Sequence, residues 1–448
     1  MVPMRRETCP AGSPRPGGGR EKSLPWIAGA AFAVAVCLVP GQARAAAGQE
    51  KDKTAAALTL KDDSDARAAK RKVPPPANAP RGYKGVLLAD LNPKNAYKDE
   101  IIADIGSLGL WILEQMTWTQ ISGTDPDWVM AVALGGGRKK ELIVDQGANG
   151  LWKWSHDGYP GVWTQISGDN AAWAIALDDD NDKRQELHVV FGAPPGVWRY
   201  DETDGRRAWK QISPFNPHSG LRTAMIAGGP EAGGYSFPGT GLWTISFPDG
   251  EVRAEQLSGT ETDGDDNASA AFKGGPAEDL VVDFAGRGLW FCENTTYDWH
   301  KLDGRSPDRL LPVRFGGAQR ALLDFNGDPG LYFWTFGGFP GTLTRLHPAD
   351  PDAGFCEVFE RDEADRKNSD QQLAVDFGKS GVWTYDFTRK TWALIDTRDP
   401  VFMASGDYWG LGFNSTLAVS FATEGLWLYE AKSGNWFQVS NNAPDSGL

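Results

Sequence analysis

The sequence predicts an all-β fold: an eight-bladed β-propeller of four-stranded antiparallel blades, preceded by a signal peptide and a disordered linker. Three observations predict it. A Gly-apolar-aromatic step recurs eight times, with its aromatic at Trp111, Trp152, Trp198, Trp243, Trp290, Tyr332, Trp383 and Trp427 and gaps of 41, 46, 45, 47, 42, 51 and 44 residues, a period that suits propeller blades. Each unit holds four segments rich in Val, Ile, Trp and Tyr, separated by Gly, Pro, Asp and Asn, which read as strands and turns. No helical periodicity competes, and a sandwich would not repeat so regularly.

The chain opens with Arg5, Arg6, Arg15, Arg20 and Lys22, followed by the uncharged run "WIAGAAFAVAVCLVP" (26–40), too short for a comfortable membrane span. Ala43 and Ala45 supply an A-x-A pattern, so residues 1–45 read as a secretory signal cleaved after Ala45. The mature protein is then periplasmic or secreted. Residues 46–82 form the linker: up to Pro80 they are rich in Ala, Lys and Asp without one aromatic, and too little apolar surface is present to offset ordering entropy. Residues 83–442 carry the eight units, and 443–448 remain as a C-terminal tail.

The signal takes six of the 45 basic and two of the 59 acidic residues with it, leaving 39 and 57, a net charge of −18. Such a surface repels phosphate backbones and anionic lipid, so nucleic acid and membrane insertion are excluded as partner classes, and cations are favoured. Of four cysteines only Cys292 and Cys356 remain. They fall in units that are not neighbours, which favours two separate buried thiols, although export permits a disulfide.

The third unit displays the pattern well: "AWAIALDDDN" (172–181), "ELHVVFG" (186–192), "GVWRYD" (196–201) and "WKQIS" (209–213). A blade covered on both faces by neighbours tolerates successive apolar positions, as in its Val-Trp pair. The Gly before each marker, at 109, 150, 196, 241, 288, 330, 381 and 425, suits a tight turn or positive φ between second and third strands. A second Trp, at 118, 163, 209, 299, 392 and 436, opens the fourth strand and is expected between blades, with its N–H seeking one partner. The sixth and seventh units are the least regular, because Tyr332 replaces Trp and the gap of 51 hides one first strand.

The segments "DEIIADIGSLGLW" (99–111), "EDLVVDFAGRGLW" (278–290) and "QLAVDFGKSGVW" (372–383) resemble the repeats of FG-GAP and VCBS propellers, and "ALDDDNDKRQELHVVFG" (176–192) resembles that family's calcium loop running into a strand. The resemblance implies an adhesion or ligand-binding scaffold. Independently, Asp178, Asp180, Asp182 and Glu186 stand at positions 1, 3, 5 and 9, and alternate carboxylates in a tight turn converge on a hard cation. One calcium is therefore the expected cofactor, against the alternative of a solvated acidic turn. The first unit keeps part of the set, Asp90, Asn92 and Asp99, and a calcium in every blade is excluded because other units have lost the ligands. "DGDDN" (263–267) reads as a solvated connection before a first strand.

A second recurring acid precedes the Gly-Trp step, at Asp104, Asp145, Asp283, Asp324 and Asp376. It reads as a turn acceptor at a strand end. Catalysis needs one unit to depart from the rest. The five histidines (156, 188, 218, 300, 347) lack metal-ligand spacing, and no Gly-x-Ser-x-Gly, His-Glu-x-x-His or phosphate-binding Gly loop occurs. The favoured reading is an exported binding module for a glycan or a partner-protein surface, contacted by the loop aromatics Tyr408, Trp409, Tyr159 and Phe339, with Phe215 as a further exposed ring. The alternatives are a hydrolase or lyase with acids in 347–372, and a structural component of an envelope complex.

Overall fold

The computed structural model describes residues 83–447 except 93, 95–97, 138, 203–207, 224–229, 271, 273–277, 285, 294–295, 316–317, 326, 353–355, 361–370, 410–414 and 442–443. The expected signal and linker lie outside the described residues, as does most of the stretch 353–370. Among the described residues, no helix is long and apolar enough to cross a membrane.

Eight sheets are each built on four antiparallel strands consecutive in the sequence, and the first adds a fifth strand from residues 444–447. Blade three comprises Ala171–Leu177, Glu186–Phe191, Gly196–Asp201 and Ala208–Ser213. The strand hidden by the long gap in blade seven is Cys356–Glu360. First strands of blades four, five and six lie against one another, which sets them innermost. Second strands, such as Glu100–Asp104, Glu141–Asp145 and Thr416–Phe421, are buried at every residue, because strands flank them on both edges and blades on both faces. Core clusters accordingly cross blade boundaries: Ile102, Leu110 and Ile112 of blade one pack with Val129, Leu142, Val144 and Trp154 of blade two. Full burial of such side chains contributes about 1.5–3 kcal/mol each.

All eight marker glycines have positive φ, from +74° at Gly109 to +127° at Gly330. A second constraint explains why Asn would not serve. A Cβ on Gly150 would lie 2.4 Å from the Ser167 carbonyl oxygen at the end of the fourth strand, and one on Gly241 would lie 2.2 Å from that of Ser258. In six blades the register between third and fourth strands then slips by one at the marker aromatic, a β-bulge that turns the aromatic toward the turn.

The two tryptophan sets have different jobs. The third-strand indoles Trp111, Trp152 and Trp383 are half-buried and donate to their own turn, at Leu108, Asn149 and Ser380 carbonyls. A fourth-strand glutamine shares that carbonyl, Gln120 on Leu108 and Gln165 on Asn149. Fourth-strand indoles do bridge blades: Trp163 donates to Ile121 O, Trp209 to Ile166 O, Trp299 to Leu257 O and Trp392 to Leu346 O, at 2.8–3.2 Å.

Two expectations are corrected. Residues 444–447, read as tail, form a strand pairing in parallel with Tyr83–Ala89, so the C-terminus closes the ring on the inner edge of blade one. "DGDDN" lies inside the strand Thr262–Ala270, where pairing jumps from Thr262 to Asn267 opposite Phe284 and Val282. The loop read as a connection is a bulge. Cys292 is a buried free thiol; burial pushes it up to about 12.

Candidate functional site

The loops between first and second and between third and fourth strands share one end of the ring, since antiparallel order returns the chain to the same end every second strand. The predicted cation ligands and all four predicted aromatic contacts lie on this end.

The loop 178–185 of blade three is built on the second strand. Glu186, 1% exposed, accepts the Asp179 N–H at 2.9 Å, and the Asp178, Asp180 and Asp182 carboxylates accept N–H groups of Lys183, Asp182 and Arg184. Glu100 receives the Leu91 N–H in blade one in the same way. The acid that opens the second strand thus ties down the loop before it. Asp178, Asp180 and Glu186 each bring a carboxylate oxygen within 4.8 Å of the others, whereas Asp182 stays outside this group.

Arg199, from the third strand, enters the same cluster. Its guanidinium bonds Asp179 at 2.8–2.9 Å, Asp180 at 3.0 Å and Asp201 at 2.7 Å, and lies 3.8 Å from Glu186. The ring of Phe247 lies 4.4 Å from its Cζ. Behind it, His188 places Nε2 2.7 Å from Asp179 and Nδ1 2.6 Å from the Tyr235 hydroxyl of blade four. Burial alone would raise the Asp179 carboxyl, but His188 and Arg199 outweigh it and hold it below the usual range. Burial, with the neighbouring Asp179 charge, pushes Glu186 up.

A Tyr-His-Asp chain of this kind resembles a proton relay. Here Asp179 and Tyr235 are wholly buried and His188 is 1% exposed, so no substrate atom reaches it; it fastens blade three to blade four. Sequence reasoning missed Arg199, Asp179 and the His188 contacts. A signal was present: the residue after the marker is Ile, Lys, Arg, Thr, Phe, Phe, Thr and Leu in the eight units, so cations occur there only beside the glutamates Glu141 and Glu186. Lys153 lowers Glu141, while burial raises it more.

The predicted aromatics divide. Tyr408 is 5% exposed and its hydroxyl accepts the Met116 N–H at 2.9 Å, so it plugs the core and does not face a ligand. Trp409 is half-buried against Tyr408 and Phe437, with its Nε1 buried and lacking a hydrogen-bond partner. Tyr159 and Phe339 are each 38% exposed. They occupy matching turns, "GYPG" in blade two and "GFPG" in blade six, each with a cis peptide before proline. Trp154 and Trp334 donate to the proline carbonyls at 2.9 and 3.0 Å. Tyr159 donates to Glu114 at 3.1 Å; Phe339 stacks on His300 of blade five, centroids 3.6 Å apart. Tyr297 is also exposed on this end, while Phe215, 70% exposed, lies on the other. A groove of about 330 Å³ between blades seven and eight contains Asp386, already paired with Arg389 at 2.8 Å.

No protein-family model matches the chain, and no curated relative does. Solved structures similar to it include BBS1N in complex with ARL6DN (15% identity, TM-score 0.43, covering 67% of this chain and 90% of that one). BamB from Moraxella catarrhalis is similar at 10% identity, TM-score 0.47, covering 80% and 99%. The computationally designed Ika8 protein is similar at 8% identity, TM-score 0.45, covering 79% and 98%. The class is set by the chain's own topology: an eight-bladed propeller with aromatic turns on one end of the ring.

Proposed function

We propose that this chain is a non-catalytic binding propeller that takes a partner protein on the end bearing Tyr159 and Phe339. The carrying observation is the matched pair of Gly-aromatic-Pro-Gly turns, four blades apart in a ring of eight, each holding a 38%-exposed ring on a backbone fixed by an indole bond. Rigid aromatics with reachable area are effective interface anchors because covering them costs little rotamer entropy. The acids, arginine and histidine of blade three are committed to one another, which favours binding over turnover. The likeness of 176–192 to FG-GAP and VCBS repeats supports the same class, and with it calcium at Asp178, Asp180 and Glu186; an ion there competes with Arg199 for Asp180. Export to the periplasm or medium rests on the signal-like residues 1–45. A glycan is the alternative occupant, since the same rings stack on sugar faces.

The test places a photo-crosslinking benzoylphenylalanine at 159, 339 or, on the other end, 215. The reading expects one discrete crosslinked protein at 159 and 339 and none at 215. Crosslinking at 215 alone, or capture on a glycan array that Phe339→Ala abolishes, would overturn it.

A further inference from the structure

The opposite end of the ring carries three acids from three separate segments around one point. Asp376 ends the second strand of blade seven, Gln371–Asp376. Asp352 stands before the first strand of that blade and donates its N–H to the Asp376 carbonyl at 2.9 Å. Asp399 stands immediately before the first strand of blade eight, Pro400–Gly406. One carboxylate oxygen from each lies within 4.8 Å of the other two.

Three acids alone would be a solvated patch, but Asp376 is not at the surface. It is 0% exposed; its Oδ1 accepts the Gly378 N–H at 2.7 Å, and its Oδ2 is buried with no hydrogen-bond partner. A buried carboxylate oxygen without a donor is costly and calls for one. Asp352 and Asp399, both exposed, bring only further carboxyl oxygens to the same point. The equivalent position in blade six differs. There Asp324 has Asp308 and Asp350 as acid neighbours, and Arg309, which follows Asp308, offsets them; the residue after Asp352 is Ala353.

We propose that Asp352, Asp376 and Asp399 bind one hard divalent cation, calcium being the best fit, that staples blade seven to blade eight. An all-oxygen donor set selects Ca²⁺, Mg²⁺ or Mn²⁺ over softer metals, and oxygens about 2.3–2.6 Å from one calcium span no more than about 5 Å. Asp376 supplies the deep ligand, Asp352 and Asp399 close over the ion from solvent, and water completes its shell. This site is independent of the partner-binding end and of the calcium loop in blade three.

The test is calorimetric titration of the EDTA-stripped full chain with CaCl₂, MgCl₂ and MnCl₂, repeated on Asp376→Asn, Asp399→Asn and Asp180→Asn. The proposal expects one calcium-binding step that wild type and Asp180→Asn share, whatever Asp180→Asn does to a separate step from blade three, and that weakens at least about tenfold in Asp376→Asn and Asp399→Asn, as loss of one charged ligand implies. Asp399 is exposed, so its variant reads the site even where Asp376→Asn fails to fold. In EDTA, Asp376→Asn should melt no lower than wild type, and in excess calcium it should melt below it. Absence of binding by all three metals, or binding that Asp180→Asn removes and Asp399→Asn leaves intact, overturns the proposal.

Discussion

The indole Nε1 of Trp118 donates to the Val439 carbonyl at 3.0 Å, joining the first blade to the eighth across 321 residues. Trp163, Trp209, Trp299 and Trp392 make the same bond between consecutive blades, so ring closure reuses a contact that joins other blades. Trp118 is 2% exposed, and Trp118→Phe strands a buried carbonyl, at a cost of about 1–3 kcal/mol. Trp152→Phe, whose donor serves an exposed turn carbonyl that Gln165 also serves, should cost no more than about 0.5 kcal/mol. Urea midpoints of the two variants check the ranking, and equal losses would deny Trp118 a special place.

Arg199 is the positive centre of a buried acid cluster, and its removal leaves the buried Asp179 with His188 as its remaining side-chain partner in that cluster. Arg199→Ala should lose about 3–5 kcal/mol in denaturant unfolding. Calcium should restore part of that loss, because Asp178, Asp180 and Glu186 already approach within 4.8 Å. An Arg199→Ala protein as stable as wild type would show that the network is ornamental.

Three of the recurring strand-end acids are raised by burial first and by neighbouring acids second: Asp145 to about 6, Asp324 to about 6 and Asp376 to about 7. The folded chain then holds protons that the unfolded chain releases near 3.8, so each contribution to stability falls as pH rises from about 4 to its folded value. Burial lowers His347, which acts in the opposite direction, so the comparison must be between variants. In EDTA, wild type should lose stability relative to Asp376→Asn as pH rises from about 4 to about 7. A difference that stays constant over this range contradicts the assignment.

Much of the fold was legible because it is local and repeated. A glycine forced to positive φ recurs in all eight blades, a bulged aromatic after it in six and a Trp opening the next strand in six, and these imperfect copies make the period visible even where Tyr332 stands for Trp. The strand-end acids were read as turn acceptors, and Asp376 does accept the Gly378 N–H. What the period could not reveal depends on single residues meeting across the ring. Arg199 occupies one position of an ordinary strand, and its partners become visible only when the 178–185 loop folds back over it. Tyr408 and Trp409 look like a loop pair, yet Met116 of blade one meets Tyr408 and Phe437 of their own blade's fourth strand packs on Trp409. Ring closure by residues 444–447 leaves no mark in their composition, because it is made by backbone pairing with the first strand.

The most direct test of the binding account is the affinity of the crosslinked partner, once purified, for wild type, Tyr159→Ala and Phe339→Ala. The account predicts at least about tenfold weaker binding by each variant, as for truncation of an anchor residue, with an unchanged melting temperature. Wild-type affinity in both variants, or chemical turnover of the bound partner, would contradict it.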